Sequence, residues 1–208
     1  MVTLNHPGDV IVQIGSSTKT QKDKKEQSEH AAPAGEEIVV SGWPLELYRL
    51  LKKRAQVRQV SYVPDAGHAQ VIKLFEADSE IVSNLLTTEE EGIAIAAGAW
   101  LGGVRSVLLL QSSGVGNCIN MLALATISRF PLLMLVTMRG EWAEFNPWQV
   151  PMGQATEPAL NAIGVRTFRV DTPADLLESV SSAATLAFDA DQQIAVLISQ
   201  RMIGAKKW

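Results

Sequence analysis

Cysteine occurs once in 208 residues, at Cys118, and histidine three times, at His6, His30 and His68. A single thiol excludes an internal disulfide framework and a cysteine-rich zinc site, and the histidines show no metal-ligand spacing. Aromatic residues make up only 6%, and neither sign of charge dominates: 18 basic and 22 acidic side chains leave a net charge of −4. No global field therefore favours nucleic acid or an anionic membrane surface. No apolar run approaches the roughly 20 residues that span a bilayer, and no basic segment followed by an apolar core opens the chain. The expectation is a cytoplasmic protein with neither membrane nor nucleic acid as partner.

Apolar residues account for 47% and charged residues for 19%, a globular profile, and the length suits one domain with a sizeable core. Residues 16–36, "SSTKTQKDKKEQSEHAAPAGE", are almost free of large apolar side chains and cannot repay the entropy of ordering. They predict a flexible N-terminal extension over 1–36, ahead of a domain over 37–208, with "DVIVQIG" as a short edge strand inside the extension. From Glu37 onward the pattern alternates between helical and strand-like periods. Helices are predicted at 44–54, 66–77, about 116–128, 156–163 and 174–188, with a further one opened by the stretch "LTTEEEGIAIAAGAW" (86–100). Strands are predicted at 57–63, 81–86, "SVLLLQ", "PLLMLVTM", "RTFRV" and "IAVLIS". Alternating strands and helices, with three strands almost continuously apolar, imply an α/β fold: a parallel sheet of about six strands flanked by helices on both faces.

In such sheets ligands sit beyond the carboxyl ends of the strands. Four polar segments fall there: "PDAGH" (64–68), "TTEEEG" (87–92), "SSGVGN" (112–117) and "RGEWAEFNPWQ" (139–149). Thr88 with Glu91 three residues on reads as a capping box, and acids there favour the positive end of the helix dipole. That leaves Glu89 and Glu90 unexplained, and adjacent like charges beside an apolar helix should raise at least one carboxyl pKa. "SSGVGN" lacks the lysine of a P-loop and the third glycine of a dinucleotide fingerprint, so neither phosphate cradle is expected.

The spacing from Glu89 to Gly98, "QSSGVGN" after an apolar strand and "RG" after the next resemble the pyrimidine-binding domain of thiamine diphosphate enzymes. Within them the chain is most similar to the family of sulfopyruvate decarboxylase α subunits and phosphonopyruvate decarboxylases, over roughly 38–200. The resemblance implies a glutamate on N1′ of the aminopyrimidine, driving the proton transfer that activates the thiazolium for attack on a 2-oxo acid. Nine residues back from Gly98 lies Glu89, with Glu90 the alternative. It further implies that Gln111, Gly114, Gly116 and Asn117 line the pyrimidine side of the cofactor cleft, although the glycines equally suit a tight strand-to-helix turn. Ser113, Asp65 and His68 would face a small 2-oxo acid, His68 as a proton carrier near neutral pH. A capping aspartate and a surface histidine are the plainer alternative. Arg139 would hold a sulfonate or phosphonate, unless it forms an internal ion pair.

Family members that bind the diphosphate carry Gly-Asp-Gly and a later asparagine for a divalent metal; here the only Gly-Asp pair is Gly8-Asp9, followed by valine. The resemblance thus implies half a site. Thiamine diphosphate would be shared with a diphosphate-binding β subunit that holds the Mg2+, in a hetero-oligomer. Related decarboxylases have a histidine where this chain has Val150, which leaves open a non-catalytic cofactor-binding or scaffold subunit. Trp142, Phe145 and Trp148 crowd one irregular segment and mark either a protein contact or a local core. A Cys118–His68 hydrolase is a third reading.

Overall fold

The computed structural model describes residues 2–6, 9–13 and 37–204, with side chains from residue 39 onward. The segment 16–36, expected to be flexible, lies outside them. Strands β1 (Val2–His6), β2 (Asp9–Gln13) and β3 (Glu37–Val40) form a small antiparallel sheet in that order. "DVIVQIG" therefore contains a central strand rather than an edge: Val10 is in register with Leu4 on one side and with Val40 on the other.

The main body is a six-stranded, wholly parallel sheet. Its strands are β4 (Gln59–Tyr62), β5 (Val82–Leu85), β6 (Ser106–Gln111), β7 (Leu132–Thr137), β8 (Arg166–Val170) and β9 (Gln193–Ile198), in the order β5-β4-β6-β7-β9-β8. Helix α1 (Trp43–Arg49) runs into a π-helical turn, Leu50–Arg54. It is followed by α2 (Ala69–Glu76), α3 (Glu89–Leu101), α4 (Ser112–Ser128), α5 (Val150–Ala162), α6 (Pro173–Ala190) and α7 (Gln200–Ile203).

Strand alternation divides the core in two. Val107 and Leu109 of β6 pack with Val71 and Phe75 of α2 and Val180 of α6. Leu108 and Leu110 pack on the opposite face with Ile93 of α3, Leu122 of α4 and Leu160 of α5. Each fully buried leucine contributes roughly 1.5–3 kcal/mol. A one-residue slip of β6 would exchange the two cores, so its register is fixed.

Two helices begin earlier than the pattern predicts. Helix α4 starts at Ser112, not Gly116, because the N–H groups of a first turn have no intrahelical partner and glycine costs little there. Helix α5 starts at Val150, not Thr156, with Pro151 in its first turn, where a missing N–H is harmless, and with Pro158 tolerated inside. Chain direction across the sheet reverses between β4 and β6: β5 lies on one side of β4, while β7 lies beyond β6. The carboxyl edge at such a reversal is where a doubly wound sheet takes its ligand.

Candidate functional site

Of the three glutamates opening α3, only Glu89 is buried; Glu90 and Glu91 are exposed, each 100° further round the helix. Thr88 is the N-cap but makes no side-chain cap bond. The expected capping box does not form: Glu91 Oε2 accepts at 2.9 Å from the backbone N–H of Thr87, one residue ahead of the N-cap. Glu89 faces α4, where Asn117 Nδ2 donates to its Oε2 at 2.9 Å. Its carboxyl rests on Gly114: a Cβ at that position would lie 2.3 Å from Glu89 Oε1. The glycine is therefore required by close approach within a helix, not by a turn.

Glu89, Ser113, Gly114, Gly116 and Asn117 line one open cavity of about 770 Å³. Its opposite wall is apolar, formed by Pro147, Trp148, Pro151 and Met152. Five residues expected from the sequence thus come together. Trp148 and the start of α5 were not expected as lining; the signal that could have found them is a Trp- and Pro-rich stretch leaving β7 at the carboxyl edge.

Behind the cavity the ends of three adjacent strands are joined by hydrogen bonds. Gln111 and Thr137 are register partners at the tips of β6 and β7. Asp65, in the loop after β4, accepts from Gln111 Nε2 at 2.8 Å, from Thr137 Oγ1 and from the Gly67 backbone N–H at 3.2 Å. Gln111 Oε1 in turn accepts from Ser113 Oγ at 2.9 Å. Gln111 stands one bond behind the cavity rather than on its wall.

Two expected residues are placed otherwise. His68 is fully buried at the start of α2, 3.8 Å from Asp65 through Nδ1, and neither ring nitrogen has a hydrogen-bond partner. Burial pushes its pKa down to about 4, against the opposing pull of Asp65. It is therefore neutral near pH 7 and cut off from solvent, and the expected proton carrier is a core residue. Arg139 is buried as well, its Nε and Nη2 each 2.6 Å from the Glu144 carboxylate. The internal ion pair, not a free anion site, is what the sequence "RGEWAE" encodes.

Glu144 also accepts from the Gly140 and Asn146 backbone N–H groups and from Gln200 Nε2. Arg139 and these donors hold its carboxyl down at about 2. Glu141 accepts from Gln200 N and from Arg169, so the segment after β7 is fastened at two points. Trp142 and Trp148 remain exposed, the former under the Arg201 guanidinium at 5.3 Å. Cys118 is buried, and burial with the nearby Glu89 and Glu90 charges pushes its thiol up to about 12, which removes the hydrolase reading. Val150, the position at which the resemblance implied a histidine, is the first residue of α5.

No protein-family model matches the chain. It is 34% identical over 140 residues to the sulfopyruvate decarboxylase subunit alpha of Methanococcus maripaludis, a match that spans 67% of this chain and 84% of that one. Among solved structures it resembles the 2-oxoglutarate:ferredoxin oxidoreductase of Magnetococcus marinus, with TM-score 0.62 and 18% identity over 77% of this chain and 28% of that one. It also resembles a presumed thiamin diphosphate-dependent enzyme from Mycobacterium smegmatis, with TM-score 0.57 and 18% identity over 77% of this chain and 31% of that one. At such identity the structural likeness shows the fold. Among the described residues no helix is long and apolar enough to cross a membrane.

Proposed function

Because this chain belongs to the family of sulfopyruvate decarboxylase α subunits, we propose that it is the pyrimidine-side half of a two-subunit, thiamine diphosphate-dependent decarboxylase. Its substrate is a short 2-oxo acid bearing sulfonate, or the phosphonate analogue, on C3, converted to an aldehyde and carbon dioxide. The single observation that carries this is Glu89, the one buried carboxylate of its triplet, seated on Gly114 at the floor of the cavity.

The donor set suits an aminopyrimidine. On the α4 side the Glu89 carboxyl fills the space over Gly114, so a flat ring would lie against that carboxyl, between Ser113 and Asn117. Glu89 would hold a proton at N1′, with Asn117 fixing its other oxygen. Trp148 and Met152 would cover the far side of the ring and keep water from the carboxyl. The cofactor, once bound, supplies the electron sink for loss of carbon dioxide. The chain's own share is to bind and orient the ring and to hold one proton against it.

Relatives named as α subunits, matched over 83–90% of their own length, support assigning the diphosphate and its Mg2+ to a separate β subunit. Arg139 is engaged with Glu144 and is not proposed to hold the sulfonate. An unpaired, buried cysteine suits a cytoplasmic home.

The test is reconstitution with the diphosphate-binding subunit, thiamine diphosphate and Mg2+. The complex should release carbon dioxide from sulfopyruvate, and neither subunit alone should. A complex that binds the cofactor and decarboxylates neither sulfopyruvate nor phosphonopyruvate makes the chain a non-catalytic subunit.

A further inference from the structure

The bonds behind the cavity fix the polarity of Ser113. Asp65, as a carboxylate, can only accept, and three donors converge on it: Gln111 Nε2, Thr137 Oγ1 and the Gly67 N–H. Gln111 must therefore keep its amide nitrogen toward Asp65, because a flipped amide would set oxygen against oxygen. That orientation leaves Gln111 Oε1 facing Ser113, which donates its only hydroxyl hydrogen to it. What Ser113 Oγ presents to the cavity is lone pairs. For Ser113 to donate to a ligand, Gln111 Oε1 would lose its partner in a half-buried position, which is the costly half of hydrogen-bond exchange.

A sulfonated 2-oxo acid at neutral pH offers only acceptors: carboxylate, ketone and sulfonate oxygens. An aminopyrimidine offers a donor, its exocyclic 4′-amino group. On the proposed function above, we infer that Ser113 recognises the cofactor's 4′-amino group rather than the substrate, and that Asp65 and Gln111 act as positioning residues that set the direction of its hydroxyl. This replaces the expectation that Ser113 and Asp65 bind the oxo acid.

The assembled complex with Mg2+ tests this by calorimetric titration with thiamine diphosphate and with oxythiamine diphosphate, in which a 4′-oxo acceptor replaces the amine. The quantity read is the ratio of the two dissociation constants. Wild type should favour the amine. Asp65→Asn lets the Gln111 amide turn over and Ser113 donate, so the preference should shrink by about tenfold. Ser113→Ala should shrink it comparably, with little change in KM for sulfopyruvate. Global loosening of the fold would weaken both compounds alike and leave the ratio in place. Ratios within twofold of wild type in both variants overturn the inference while the proposed function stands. So does a Ser113→Ala variant whose KM rises with the ratio unchanged. Failure of the wild-type complex to bind either compound overturns the proposed function, and this inference with it.

Discussion

Glu89 owes its position to an atom that is missing. The space a Cβ on Gly114 would fill is taken by the Glu89 carboxyl, 2.3 Å from where that methyl would sit, so Gly114→Ala should push Glu89 off α4 and break its bond to Asn117. Cofactor affinity of the complex, measured by titration, should fall at least tenfold, while the melting temperature moves by only a few degrees. His68 supplies a second residue-scale prediction. Its folded pKa, about 4, lies below the ordinary 6.5, so the unfolded chain binds more protons between those values. The stability is fully present above pH 6.5 and is lost as pH falls toward 4, by roughly 3 kcal/mol in all. Urea unfolding at pH 7, 5.5 and 4.5 should show this fall, and His68→Leu should flatten it. At this scale Glu89, Gly114 and Asn117 are legible in the sequence only through the family resemblance; they lie on two different helices, and it is the packing of α3 on α4 that brings them together. The fates of His68 and Arg139 are not. Each depends on a partner or a burial set by tertiary packing, which spacing cannot report.

Among the elements, the segment between β7 and α5 is irregular, as its sequence suggests, yet it is firmly fastened. Its aromatic and polar residues suggest an irregular loop. In the structure Glu144 gathers Arg139, Gly140, Asn146 and Gln200, and Glu141 gathers Gln200 and Arg169. The exit from β7 is also tight. A Cβ on Gly140, where φ is +77°, would meet the Gln149 carbonyl oxygen, and one on Gly153 would meet that of Arg139. The strap thus holds Trp148 and Pro147 in place over the cavity instead of closing on demand. Glu144→Ala would leave the Arg139 guanidinium buried without its partner, at a cost of about 3–5 kcal/mol. Denaturant titration should show that loss, with faster proteolysis at 141–149. Unchanged stability and protease resistance would mean that the ion pair fastens nothing. Helix starts were misplaced at α4 and α5 because glycine and proline read as breakers, yet both are tolerated in a first turn.

For the whole molecule, strand and helix alternation specifies the parallel sheet and its two covered faces, since β6 and β7 are apolar except at their ends, Ser106, Gln111 and Thr137, and must be buried on both sides. The strand order does not follow from alternation, and neither does the reversal between β4 and β6, because both depend on which crossover goes left or right. The segment β1–β3 shows the same limit: each strand is readable, but β2 at the centre is a matter of pairing. On the proposed function, one carboxyl of the three serves a coenzyme whose other end a second subunit holds. The most direct measurement is the decarboxylation rate of the reconstituted complex carrying Glu89→Gln or Glu90→Gln, beside wild type. The Glu89 variant should lose about 10²- to 10⁴-fold in kcat, the range for removing an acid–base group, and the exposed Glu90 variant should stay within about threefold. Full activity in the Glu89 variant, or a collapse confined to Glu90, would contradict it.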